Sequence, residues 1–321
     1  MRFWQKPTPW QVGTILIFGV LAVSTAAIFI RLAMETAQIR SVGFSLFLAA
    51  SRLAIASLLI VLPQARATTG IPARSRFVLP LDSQAFYYAV GAGICLAVHF
   101  ATWITSLSLT SIAASTTLVT TNPVWVALLS WLWLKEKPGK MTICGIAIAL
   151  AGGMLIAWDG SETLSTAPNP LLGNCLALVG AWMASLYLLL GREAQNRGLG
   201  TNGYIKIAYT TAALVLLPLP WLFGGQYSGY PAAVYLYIFL MALISQVLGH
   251  TSVNWAVRWI SPTLVTLGIL FEPVGASVLG FFIFGEMPQP QTIGGAIILL
   301  LGVGITAIGT RDRDPQTSTT G

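Results

Sequence analysis

The sequence predicts an all-α membrane protein with ten transmembrane helices, arranged as two inverted five-helix repeats with the N- and C-termini in the cytoplasm. Three observations lead to this prediction: an apolar composition, ten long apolar stretches and an internal repeat. Of the 321 residues, 55% are hydrophobic and only 8% are charged, whereas an ordinary soluble domain carries about 25% charged residues. The composition therefore excludes a typical soluble domain.

Ten stretches approach the length of about 20 mostly apolar residues that a membrane-spanning helix requires. Each is long and unbroken, unlike a barrel strand, which alternates apolar and polar residues over about ten positions. The first is expected to be an uncleaved helix, because it is too long for the apolar region of a signal peptide. The predicted helices are Gln11–Met34, Val42–Leu62, Gln84–Leu107, Ile112–Leu134, Met141–Trp158, Pro170–Leu190, Tyr204–Leu222, Pro231–Trp255, Pro262–Phe284 and Thr292–Ile308.

The basic residues predict how these helices are oriented. With a cytoplasmic N-terminus, the cytoplasmic segments hold most of the Lys and Arg residues, including the three lysines of "KEKPGK" at residues 135–140. The opposite side receives only Arg31 and Arg40, both in the first predicted loop. Since cytoplasmic loops carry an excess of Lys and Arg, both ends are predicted to lie inside. Membrane topology thus accounts for the net charge of +7, and no nucleic-acid partner is expected.

A shift of 150 residues aligns much of the two halves of the chain. The segment "NPVWVALLSWLWLKE", residues 122–136, falls on "EPVGASVLGFFIFGE", residues 272–286, and "TICGIAIALAG" falls on "TIGGAIILLLG". A weaker match at an offset of 161 places "GVLAVSTAAIFIR" on "GAWMASLYLLLGR". Five helices per repeat is an odd number, so the second copy is expected to be inverted in the membrane. We predict repeats at residues 11–158 and 170–309 and a disordered cytoplasmic tail at residues 310–321.

These segments, in this order, resemble the drug/metabolite transporter superfamily in its ten-helix form with two EamA-type domains. The resemblance rests on "AASRLAIASLLI", "TSIAASTTLVTTNPVW", "GIAIALAGGMLIA" and "WISPTLVTLGILFEPVGASVLGFFIFGE", and it covers nearly the whole chain. It implies transport of small metabolites, often amino acids or related compounds, by facilitated diffusion or coupled to protons. The resemblance leaves the cargo open, because similar proteins export aromatic amino acids and relatives carry nucleotide sugars or phosphorylated sugars.

We therefore expect a secondary transporter in the cell membrane that exports a small organic metabolite by alternating access with proton coupling. The nearest alternatives are a nucleotide-sugar or sugar-phosphate carrier and a non-transporting receptor or assembly factor. The helices show no motif for a nucleophile or a metal, so no enzyme is predicted. Cys95, Cys144 and Cys175 lie singly on three predicted helices, so no metal site and no cofactor is expected. The expected partners are the cargo and the lipid bilayer, and the chain could form a homodimer.

Glu272 and Arg52 are the first candidates for the binding site. A charged side chain at the centre of a membrane-spanning helix costs roughly 2.5 to 3.5 kcal/mol on insertion scales, so such residues are usually functional. Glu272 is the single carboxylate at mid-membrane depth and precedes Pro273, and its protonation would depend on the helix that it faces. We interpret it as a proton-coupling group and Arg52 as a ligand for a cargo carboxylate. The alternative is a structural Glu272–Arg52 ion pair.

His99 and His250 occupy nearly equivalent positions of the two repeats, in the third and eighth predicted helices. An imidazole has an ordinary pKa of about 6.5 and suits proton coupling or a hydrogen bond to cargo. The alternative for each is a single hydrogen bond to a neighbouring helix.

Weaker candidates complete the predicted site. Aromatic faces can line a cavity for an apolar or cationic cargo, although Trp and Tyr also favour the membrane interface. Asn122, the repeat mate of Glu272, is polar but cannot ionise. The weaker candidates are Trp103, Asn122, Trp125, Tyr209 and Asn254, together with Thr120 and Thr121.

Overall fold

The computed structural model describes residues 7–67, 83–134, 139–159, 168–260, 265, 268–288 and 290–311. This part of the chain is almost entirely helical and contains no strand. Residues 312–321 of the predicted tail, and Glu136 of the repeat match, lie outside the described residues.

The helices follow the predicted apolar stretches closely. The helices of the first half are α1 Pro9–Ala37, α2 Val42–Ala67, α3 Ser83–Leu109, α4 Ile112–Val119, α5 Asn122–Leu134 and α6 Lys140–Asp159. Those of the second half are α7 Pro170–Asn196, α8 Thr201–Leu216, α9 Leu219–Leu222, α10 Ala232–Leu240, a π-helix at Met241–His250, α11 Thr251–Val257, α12 Glu272–Phe284 and α13 Pro290–Arg311.

Seven helical segments of the described chain are long and apolar enough to cross a membrane. They include Ile112–Leu129, which joins α4 to α5, and Ala232–Val257, which runs from α10 through the π-helix to α11. Three shorter apolar helices, Lys140–Leu155, Glu272–Phe284 and Ile293–Thr306, lie where the remaining predicted spans were placed. The chain is thus a multi-pass membrane protein, and the count of ten spans and the inverted orientation stay predictions.

Two stretches that were predicted as single helices are broken near their middle. The first is interrupted at Thr120 and Thr121, and residues 270–271 form a turn before α12 begins. In each case a proline, Pro123 or Pro273, is the second residue of the new helix. Proline lacks a backbone N–H and clashes with the preceding turn, so it is tolerated in the first turn of a helix and not in its interior. The two breaks fall at the same position of the sequence repeat.

The two halves of the chain pack through three long helix contacts. Helix α3 lies along α7, the continuous helix from α10 to α11 lies along α1, and α6 lies along α13. Glycines permit the last contact, because a Cβ added at Gly152 would lie 2.4 Å from the Leu299 nitrogen and one at Gly302 would lie 2.3 Å from the Ala149 nitrogen. Small residues allow helix backbones to approach closely in a membrane. Gly152 and Gly302 therefore serve the packing of α6 on α13.

Candidate functional site

A cavity with an empty volume of about 620 Å³ lies among α1, α3, α7, the two helix breaks and the π-helix. We call it the central cavity. Its polar or aromatic lining residues are His99, Trp103, Thr120, Asn122, Tyr187, His250 and Glu272. Its apolar lining residues are Val20, Val23, Leu96, Val119, Ala184, Leu188, Val253 and Ile269.

The lining contains pairs of residues at equivalent or nearly equivalent positions of the sequence repeat. His99 and His250 are 151 residues apart, and both face the cavity. Asn122 and Glu272 are 150 residues apart and are the first residues of α5 and α12. Matched positions of the two halves therefore meet at this cavity, which is the expected location of the binding site in a transporter built from repeats.

Glu272 contributes the acidic group of the central cavity. Its side chain is 7% exposed and lines the cavity at the start of α12. Among the described residues, no hydrogen bond or ion pair holds its carboxylate, so the suspected Glu272–Arg52 ion pair is not formed. The Arg52 side chain instead bonds to Gln246 on the π-helix. The carboxylate is thus free to contact cargo or to exchange a proton.

His99 is fixed in the cavity wall by a hydrogen bond and by stacking. Its Nδ1 lies 2.9 Å from the carbonyl oxygen of Gly180 on α7. Because a carbonyl only accepts, Nδ1 carries the proton and Nε2 is the acceptor of the neutral ring. The ring also stacks on Trp103 at a centroid distance of 5.9 Å. His99 therefore presents a defined hydrogen-bonding atom from a rigid position.

His250 ends the π-helix and lines the central cavity. The π-helix packs tightly on α1: a Cβ added at Gly249 would lie 2.7 Å from Cγ2 of Val23, a lining residue. The His250 ring meets Phe100 in an edge contact at 5.4 Å. Single π-helical turns recur at functional sites because the wider turn redirects side chains.

Arg52 does not line the central cavity, which differs from its predicted role as a cavity residue. The side chain is fully buried, and its Nε donates to Oε1 of Gln246 on the π-helix at 2.9 Å. Its Cζ lies 4.1 Å from the centre of the Phe100 ring. Phe100 stands next to His99 on α3 and contacts His250, so its ring separates the guanidinium from the cavity wall.

Tyr209 and Asn254 lie with Arg52 in the buried region behind the cavity. Asn254 Nδ2 donates to the Tyr187 hydroxyl at 2.5 Å and lies 3.5 Å from the Tyr209 hydroxyl. Tyr187 itself lines the cavity. Tyr209 and Asn254 therefore lie behind the cavity wall and do not line the cavity.

The remaining candidates divide between two cavities. Trp103 and Asn122 line the central cavity, and Ser185 on α7 donates to the Asn122 backbone oxygen at 3.3 Å. Trp125 instead lines a separate apolar cavity of about 560 Å³ beside α6 and α13, and its Nε1 donates to Thr121. The cause is the helix break, because α5 starts anew at Asn122 and carries Trp125 away from the central cavity.

An ion-pair network connects the ends of several helices beyond the cavity. Arg31 Nη2 donates to the carbonyl oxygens of Leu107 and Thr110 at 3.0 Å each, and Nη1 lies 3.7 Å from Glu286. Glu286 also accepts from the Ile112 backbone nitrogen at 2.8 Å. The assignment of Arg31 to the first loop is wrong, because Arg31 lies inside the predicted helix Gln11–Met34, and α1 continues to Ala37 and buries this residue. At 1.5 Å per residue, Arg31 lies about 12 Å along α1 from the lining residue Val23.

Several residues of the cavity and its surroundings were not among the candidates from the sequence. They include Tyr187, which lines the cavity, and Glu286, which pairs with Arg31. Gln246 could have been found, since a glutamine in the middle of an apolar span is costly unless it is paired. Thr251 gave no signal, because a threonine in a membrane helix usually bonds its own backbone.

A known protein family matches each half of the chain separately. The EamA-like transporter family matches residues 11–158 and again residues 171–308. A solved crystal structure superposes with a TM-score of 0.61, covering 94% of this chain and 98% of the other at 15% identity, which shows a shared fold.

Individual relatives are also transporters by name. The uncharacterized transporter YyaM of Bacillus subtilis is 29% identical over 194 residues, which are 59% of this chain and 61% of that relative. A Clostridium kluyveri transporter is 26% identical over 70% of this chain and 73% of its own length. A probable terminal-alkyne amino-acid exporter of Streptantibioticus cattleyicolor is 26% identical over 64% of this chain and 67% of its own.

Proposed function

Because the chain belongs to the EamA-like transporter family, we propose that it is a secondary transporter that exports a small metabolite with an amino group, such as an amino acid or a related compound. The observation that carries this proposal is the Glu272 carboxylate, which faces the central cavity without a partner among the described residues. A buried carboxylate is stabilised by a cationic group, and an ammonium ion provides both charge and hydrogen-bond donors.

The lining favours an amine over a phosphorylated cargo. Glu272 is the single charged side chain of the described lining, which contains no Lys or Arg. A nucleotide sugar or sugar phosphate carries two or more negative charges and would require basic side chains at the phosphate oxygens. Trp103, Tyr187 and the two histidines add aromatic faces, which suit an apolar or cationic cargo. The sugar-phosphate alternative is therefore disfavoured.

Proton coupling follows from competition at one carboxylate. A proton and the ammonium group of the cargo cannot both neutralise Glu272, so binding of one releases the other. His99 Nε2 and His250 provide neighbouring sites through which a proton can pass. Export then uses the inward proton gradient, and the export direction has support in the name of the Streptantibioticus relative. We propose that the protein lies in the cell membrane and moves its cargo out of the cell.

The Arg31–Glu286 network supports alternating access. Four segments, α1, the end of α3, the start of α4 and the end of α12, are tied together at one end of the bundle. Breaking these bonds would separate the same segments and open the cavity at that end. The two predicted repeats, residues 11–158 and 170–309, would rock against each other in this cycle.

The test uses purified protein in proteoliposomes with an imposed pH gradient. Counterflow of the twenty radiolabelled L-amino acids identifies a cargo, and Glu272→Gln is expected to abolish its gradient-driven accumulation while the protein still inserts. Glu193→Gln is the matched control, since Glu193 lies in an exposed i,i+4 ion pair at 2.8 Å from Arg197. A Glu272→Gln variant with unchanged rate and pH profile would refute the coupling role. Saturable binding without any counterflow would instead support the receptor alternative.

A further inference from the structure

We infer that Arg52, Gln246 and Thr251 form a carboxylate subsite next to the central cavity, so that the cargo is a zwitterion with its ammonium group at Glu272. We call these three residues the carboxylate subsite. The inference rests on the proposed function, because it requires the central cavity to hold the cargo.

The subsite contains a buried cation with unused hydrogen-bond donors. Both terminal nitrogens of Arg52 are buried and lack a partner among the described residues, whereas Gln246 and Thr251 have the Tyr209 hydroxyl beside them as a partner. The guanidinium uses only its Nε, on Gln246. A buried donor without an acceptor costs about 1 to 3 kcal/mol, and more when it is charged. Two such donors on one permanent cation indicate that an acceptor-rich group binds there at some stage of the transport cycle.

Three separate elements bring the subsite together. Arg52 lies on α2, Gln246 on the π-helix and Thr251 at the start of α11. The Tyr209 hydroxyl of α8 lies beside both Gln246 and Thr251. Hydrogen bonds with five-residue spacing widen the π-helix, and this places Gln246 on Arg52 while His250 faces the cavity. One irregular helix thus serves both the subsite and the cavity.

Phe100 is the barrier between the subsite and the central cavity. Its ring is fully buried, with its centre 4.1 Å from Cζ of Arg52 and 5.4 Å from the centre of the His250 ring. His250 lines the cavity, so the guanidinium lies one aromatic ring behind the cavity surface. A change in the Phe100 rotamer would bring the two into contact.

The chemistry of the subsite selects a carboxylate. A guanidinium with two free terminal nitrogens matches the two oxygens of a carboxylate in a bidentate pair. A single permanent positive charge balances one negative charge, whereas a phosphorylated cargo would bring more. With Glu272 on the cavity side, the pair of sites has opposite charges and suits an amino acid.

The experiment compares each amino acid with its carboxyl amide in proteoliposome counterflow. The amide keeps the ammonium group and the side chain but has no negative charge. In the wild type, we expect the best amino acid to compete at least about tenfold better than its amide, as for loss of a charged hydrogen bond. Arg52→Gln is expected to bring this ratio close to one while transport of the amide persists, which also shows that the variant folds.

Controls separate this inference from the proposed function. Arg258→Gln, at an exposed arginine, is the control and should keep the wild-type ratio of acid to amide competition. If Arg52→Gln proves too unstable to purify, Thr251→Val replaces it and should lower this ratio. Equal transport of acid and amide by the wild type, or an unchanged ratio in both subsite variants, would overturn the carboxylate subsite and leave the amine transporter intact. Failure of every acid and every amide to drive counterflow would overturn both.

Discussion

Replacing Glu286 by Gln should open the bundle at the end that the Arg31 network closes. The substitution keeps the shape of the side chain and an oxygen for the Ile112 nitrogen, but it removes the charge that faces Arg31. The buried guanidinium then retains only the carbonyl oxygens of Leu107 and Thr110. The closed conformation should lose stability relative to one in which Arg31 reaches water.

The size of this effect follows from the geometry. Two unit charges 3.7 Å apart attract by roughly 4 kcal/mol at an effective dielectric constant of about 20. The Glu286 side chain is 22% exposed, and desolvation of both ions offsets part of the attraction. We therefore expect a net loss of about 2 kcal/mol, which changes the ratio of closed to open molecules by about 30-fold.

Cysteine labelling measures this ratio directly. Thr120 lines the cavity, so Thr120→Cys, in a background without the three native cysteines, reports access of a membrane-impermeant maleimide from each side. Glu286→Gln should raise the labelling rate from one side only, which the positive-inside rule predicts to be the external side. Glu193→Gln is the control, because its partner Arg197 lies 2.8 Å away in an exposed pair that contributes little. Equal rates in Glu286→Gln and the control would refute the closure.

Three further predictions concern packing, pH and cargo affinity. Gly302→Ala should lower the melting temperature in detergent, since its Cβ would lie 2.3 Å from a backbone nitrogen and overpacking costs about 1 to 3 kcal/mol, whereas Gly304→Ala meets no atom within 4 Å and should not. Tyr227→Phe removes a 2.7 Å hydrogen bond to Leu217 worth about 1 kcal/mol. Burial raises the pKa of Tyr227 to about 12, above its unfolded value of about 10. The wild type should therefore exceed Tyr227→Phe in free energy of unfolding below about pH 10. Urea titrations should show this advantage being lost as the pH rises from about 10 to about 12. Trp103→Leu should weaken cargo binding by about three- to tenfold in an equilibrium binding assay, because it removes an aromatic contact.

Much of the fold could be predicted because membrane burial restricts the chain to helices whose length is set by the bilayer. The helix breaks were not predicted, although both prolines were noticed. A proline in a membrane helix can kink it, end it or start a new one, and only the surrounding contacts decide among these. The π-helix at Met241–His250 has no proline and gave no sequence signal; tight packing of Gly249 on α1 accompanies it.

The sequence indicated candidate residues that line the cavity, but it did not indicate the contacts of residues that lie behind the cavity wall. Glu272, His99 and His250 were candidates because a costly group in a membrane helix requires a reason, and all three line the central cavity. The pairing of Arg52 was not found, because its partner Gln246 is 194 residues away on a helix whose local geometry is irregular. Periodicity predicts the face of a regular helix, and it fails where the period changes.

The two helix breaks also explain why the cargo's negative group needs a separate subsite. Helices α5 and α12 both begin at the cavity, and the N-terminus of a helix carries a partial positive charge that attracts anions. At α12 this charge already faces its own Glu272, which is acidic and lies in the first turn. At α5 the first residue is Asn122, which is neutral and is engaged by Ser185. Glu272 therefore makes the cavity favourable for cations, and a carboxylate is best bound at Arg52, behind Phe100.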